Sequence, residues 1–84
     1  MTPAEAQRLQ DAARKRGRWI TWFVAASGGK ARAWAVVADR HGGMRLPGEL
    51  VADTLAELRA ILPAGLTRDK PTELMPPEVV EVWN

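Results

Sequence analysis

The chain is predicted to be α+β: a three-stranded, mainly antiparallel sheet with two helices, in the order α-β-β-α-β. Three observations lead there. Two segments open with helix-capping signatures, Thr2-Pro3-Ala4-Glu5 and Thr54-Leu55-Ala56-Glu57. Between them, Arg18 to Ala26 and Ala31 to Arg40 are rich in Trp, Ile, Val, Phe and Thr and flank the turn candidate Ser27-Gly28-Gly29-Lys30. A last run, Val79-Val80-Glu81-Val82-Trp83, returns to β character behind the break Pro76-Pro77.

The first helix is expected over about 3–16. Thr2 serves as N-cap, Pro3 occupies a position where its missing N–H costs nothing, and Glu5 completes the capping box. Arg14, Lys15 and Arg16 suit the negative end of the helix dipole, and Gly17 stops the helix. Ala6, Leu9, Ala13 and Ala12 form its candidate buried stripe. Only one of these is large, so the helix can approach a sheet closely yet contributes little hydrophobic free energy.

The hairpin is expected over about 18–40. Gly28 and Gly29 at the centre of a primed turn would set Ser27 opposite Lys30, and counting outward pairs Val24 with Ala33, Trp22 with Ala35 and Ile20 with Val37. On the other face Phe23 meets Trp34, Thr21 meets Val36 and Trp19 meets Ala38. Both faces are apolar, so each expects a cover: a helix, another chain or a ligand. His41-Gly42-Gly43 ends the second strand. Pro47-Gly48 reads as a turn and Leu50-Val51-Ala52 as a short extended segment.

The second helix is expected over about 54–62, with Leu55, Leu58, Ile61 and Leu62 as its apolar face and Pro63 and Gly65 closing it. Residues 66–78 contain three prolines and no periodicity, which reads as a long loop that is packed, mobile or a place for a partner. The third strand, about 79–83, is expected to lie antiparallel to a hairpin strand.

Composition bounds the rest. The 84 residues make one small domain, 1–84, which buries roughly 60 to 65% of its extended-chain surface. The absence of cysteine excludes a disulfide framework and a zinc-thiolate site, and no run approaches the roughly 18 apolar residues of a membrane span. Charged residues stand near the N-terminus, where a signal peptide would be apolar. A cytoplasmic location is expected, with no membrane partner. The net charge of +2 hides an asymmetry: residues 1–48 carry nine Lys/Arg against three acids, and residues 49–84 carry three against seven. Attraction between the two halves, within the fold or across a dimer, is the expected use of that asymmetry.

No catalytic constellation, metal site or cofactor is expected. Asp39 could orient His41 as a base, but Ser27 belongs to the opposite end of the hairpin, and one histidine with scattered carboxylates has no ligand spacing. Gly28-Gly29-Lys30 lacks the spacing and following helix of a phosphate loop. Asp53, Glu57, Glu78 and Glu81 yield no acid/base pair, since Glu57 caps a helix and the others read as solvated strand or loop. The leading reading is a non-enzymatic interaction protein whose partner is a second copy or another protein.

The alternative is a nucleic-acid-binding module. Arg14, Lys15, Arg16 and Arg18 beside Trp19 offer cations next to a stacking ring, and Arg32 and Trp34 extend the platform along the sheet. Burial statistics instead favour Trp19, Phe23 and Trp34 as core beneath a helix. The Trp19-x-x-Trp22 strand, the run from Val51-Ala52-Asp53-Thr54-Leu55 through Leu58-Arg59 to Leu62-Pro63-Ala64-Gly65-Leu66, and the Val79–Trp83 ending resemble a group of short uncharacterised bacterial proteins. That resemblance covers most of the chain and implies a free-standing bacterial domain with this order of elements. It carries over no functional residue.

Overall fold

The structure, a computed structural model, describes residues 2–26, 33–40 and 43–84. Two helices, α1 (Pro3–Lys15) and α2 (Leu55–Ile61), accompany five strands: β1 (Ile20–Ala26), β2 (Ala33–Asp39), β3 (Met44–Ala52), β4 (Arg68–Asp69) and β5 (Val79–Trp83). The strands form one antiparallel sheet in the order β3-β2-β1-β5-β4, so the class is α+β and the sheet has two strands more than expected.

The additional strands are β3 and β4. Pro47-Gly48 is not a turn. It lies inside β3 where the ladder with β2 shifts register between Val36 and Ala38, so the pair is a bulge on an edge strand, a place that tolerates a residue without an N–H. In the segment read as a loop, Arg68 and Asp69 pair with Trp83 and Val82. Thr67 and Asn84 exchange both backbone hydrogen bonds at 2.8 and 3.0 Å beside them.

The β1–β2 register also differs from expectation. Trp22 lies opposite Val37, Phe23 opposite Val36, Val24 opposite Ala35 and Ala25 opposite Trp34, two residues along from the pairing derived from a Gly28-Gly29 turn. The side-chain period in a strand is two, so this displacement moves every pair and leaves every residue on its expected face. The expected turn itself, Ser27 to Lys30, lies outside the described residues, as does His41.

Both helices pack on the same face of the sheet. Ile20, Trp22, Val24, Ala33, Ala35, Val37 and Leu50 point there and are buried with Ala6 and Ala13 of α1 and Leu58 of α2. The capping box of α1 is complete: Glu5 N–H donates to Thr2 Oγ1 at 3.2 Å and Thr2 N–H to Glu5 Oε2 at 3.1 Å. The other end of α1 closes as a Schellman motif. Arg18 N–H donates to the Ala13 carbonyl at 2.8 Å and Gly17 N–H to that of Arg14 at 3.0 Å, with Gly17 at φ 71°. α2 is capped by Thr54, whose hydroxyl accepts from Glu57 N–H at 3.2 Å.

The buried stripe of α1 is Ala6, Gln10 and Ala13, not the expected set: Leu9 is half-buried and Ala12 exposed. The physical reason lies across the interface. Trp22 is fully buried beneath the helix, its indole N–H needs an acceptor, and Gln10 Oε1 supplies one at 3.2 Å. Small alanines on either side leave room for the ring.

Candidate functional site

Two regions remain once the core is assigned. The first is the open face of the sheet. Val36 and Val82 flank Phe23 as direct cross-strand neighbours, and Ala25 and Val51 flank Trp34. Phe23, Trp34 and Val36 are half-buried and Val51 is 50% exposed, while Thr21, Ala25 and Val82 on the same face are buried. Neither helix covers this surface, so Phe23 and Trp34 are not core beneath a helix. α2 has only seven residues and α1 a small-residue stripe, and both are used on the Trp22 face. The rim carries both signs of charge, Arg45 and Glu49 on β3 and Asp69 on β4.

The second region is a cleft of about 390 Å³ at the C-terminal end of α1. Its lining includes Gln10, Arg14, Arg18, Trp19, Ile20 and Asn84, together with glycines 17 and 65. Arg14 Nη2 donates to the Gly65 carbonyl at 3.3 Å, and Arg18 is paired with Asp39, which is 2% exposed. Trp19 precedes β1 and is 59% exposed.

This arrangement divides the residues expected to hold nucleic acid. Arg14, Arg18 and Trp19 border the cleft, Trp34 stands on the open sheet face, Lys15 and Arg16 are exposed at the end of α1, and Arg32 lies outside the described residues. Asp39 is buried with a cation upon it, a role its place beside His41 did not suggest.

Glu81 also departs from expectation. Read as solvated, it is 6% exposed and sits opposite Val24 on the helix face. Arg59 donates to both carboxylate oxygens, from Nε at 3.1 Å and Nη2 at 2.6 Å, while Arg68 Nη1 and Trp83 Nε1 each add a bond at 3.3 Å. Burial pushes the Glu81 carboxyl up, but the bonds from Arg59, Trp83 and Arg68 together outweigh it and hold the group below the ordinary glutamate value. Arg59 is correspondingly raised, through its hydrogen bonds to Glu81 first and its charge second. A carboxylate saturated with donors in this way is a brace between α2, β4 and β5, with no lone pair reserved for a substrate.

Among the described residues no group of three His, Cys, Asp or Glu is placed to hold a metal ion, and no helix is long and apolar enough to cross a membrane. No protein-family model, curated protein or solved structure matches the chain.

Proposed function

We propose that the protein is a non-enzymatic interaction module that self-associates through the open face of its sheet. The observation that carries this reading is the part-open apolar row of Phe23, Trp34, Val36 and Val51 on the sheet face opposite both helices. A second sheet laid on such a face at about 10 Å would bury it as in a sandwich.

The edges favour the face over edge-to-edge pairing. β4 is two residues long, and β3 carries Pro47, a bulge, Arg45 and Glu49, all features that blunt a strand against further pairing. A mixed-charge rim around an apolar centre suits an isologous contact, in which one patch must complement itself.

Sedimentation velocity over a range of protein concentrations tests this at two salt concentrations. The expected result is a mass that rises with concentration, changes little with salt because apolar burial is not screened, and stays monomeric in Val36→Glu with its circular dichroism unchanged. A wild-type mass fixed at the monomer value throughout would refute self-association.

A further inference from the structure

The cleft beside α1 has a polar group that the fold does not use. Gln10 is 4% exposed. The Trp22 indole nitrogen can only donate, so the Gln10 atom facing it at 3.2 Å must be the amide oxygen, which fixes the orientation of the amide. The amide nitrogen then has no protein partner among the described residues. No side-chain nitrogen or oxygen there is both fully buried and without a partner, so this N–H₂ is not completely enclosed, and Gln10 is one of the residues that line the cleft.

Of the other polar side chains of the cleft, Asn84 is engaged within the fold, its Oδ1 accepting from Thr21 at 2.8 Å and from Arg40 at 3.1 Å, and the two arginines are donors. The Schellman motif occupies the carbonyls of Ala13 and Arg14 at the helix end. Arg14 and Arg18 contribute guanidinium N–H groups, and their charges are not equivalent. Arg18 is neutralised by Asp39, whereas Arg14 meets a neutral carbonyl and no acid pairs with it among the described residues. Counted over its lining side chains, the cleft therefore holds about one uncompensated positive charge, which matches a monoanion better than a dianion. Its apolar side chains are Ile20 and the exposed Trp19, and its volume of about 390 Å³ lies at the low end of the roughly 300 to 1,000 Å³ typical of small-molecule sites.

We infer that this cleft is a binding site for a small planar monocarboxylate, with the carboxylate on Arg14, the ring between Trp19 and Ile20, and the Gln10 amide N–H donating to an acceptor on the bound molecule. Arginine suits the head group because its planar fork meets a carboxylate through two parallel bonds, and an exposed indole offers a planar molecule a stacking face. The site is independent of the open sheet face.

The test is titration of the ¹⁵N-labelled full-length protein with benzoate, following the Gln10 side-chain amide signals. These should shift saturably. Benzamide, which keeps the shape and loses the charge, and phenyl phosphate, which adds charge, should each bind at least tenfold more weakly. Arg14→Met should weaken benzoate at least tenfold and Trp19→Ala severalfold, while an unmoved Trp22 indole signal in both variants reports an intact core. Gln10 signals that do not respond to benzoate, or Arg14→Met binding it as tightly as the parent, would overturn the site. Benzamide or phenyl phosphate binding as tightly as benzoate would overturn its assignment to a monocarboxylate.

Discussion

Glu81 sits where a strand residue facing two helices would ordinarily be apolar, and its carboxylate is retained at the cost of desolvation because Arg59, Arg68 and Trp83 all reach it. Its proton affinity then makes stability depend on pH with a definite sign. The folded-state value lies below the unfolded one, so the folded protein binds the proton less readily. The stabilisation is fully present above the unfolded value of about 4.3 and is lost as the pH falls through the folded value. Melting curves should therefore show a drop in Tm on acidification below about pH 5 that is markedly smaller in Glu81→Gln than in the parent. Equal drops in the two proteins would assign the acid sensitivity to other carboxylates. The same scale holds the clearest signal that sequence reading passed over. Gln10 stands at i+4 from Ala6 and three before Ala13, the centre of the small-residue stripe, and a polar side chain there implies a buried partner with a donor to satisfy.

The elements differ in how legible they were. Both helices announced themselves through caps, because a cap is a local contract between neighbouring residues: Thr2 with Glu5, Thr54 with Glu57, Gly17 with its positive φ. β5 was equally clear from its composition. β3 was obscured because Pro47-Gly48 has the chemistry of a turn, and only the register of β2 beside it makes the pair a bulge. β4 could not be read at all, since two residues have no periodicity and Arg68-Asp69 is strand only through what it pairs with. The candidate cleft was half legible. Arg14, Arg18 and Trp19 stood out as a basic and aromatic cluster, but their meeting with Gln10 and Gly65 depends on the return of the chain after α2. That return rests on Leu58, the one fully buried residue of α2. Leu58→Ala should cost about 2 to 5 kcal/mol in denaturant titration, a large share of a small domain's stability. A loss under about 1 kcal/mol would mean that α2 contributes little to holding the fold.

Among the described residues, the charge asymmetry of the sequence is mostly not spent on attraction between its halves. Arg18 pairs with Asp39 within the basic half, and Arg59 and Arg68 pair with Glu81 within the acidic half. Among the described residues only Arg45 and Glu49, at 3.9 Å and both exposed, cross the divide. Arg14, Lys15 and Arg16 thus remain as a basic end beside the cleft, where they would favour the arrival of an anion. The molecule is two-sided in another sense as well: both helices pack on one sheet face, and the other keeps Phe23, Trp34 and Val36 half-buried and Val51 exposed.

The order of the sheet has a kinetic consequence. β1 lies at its centre, joined on one side to β2, its neighbour in sequence, and on the other to β5, where Trp22 meets Trp83. The first seam closes a short span of chain and the second a much longer one, from Trp22 to Trp83, so the β2 side should form early and the β5 side late. In stopped-flow experiments Val37→Ala should then slow refolding, while Val82→Ala should mainly speed unfolding; equal slowing of refolding by both would contradict this order. Until β5 docks, Ile20-Thr21-Trp22-Phe23-Val24-Ala25-Ala26, a strand without a single charge, waits with one edge bare. Refolding yield should accordingly fall as protein concentration rises, because at high concentration another molecule's strand can reach that edge before β5 does.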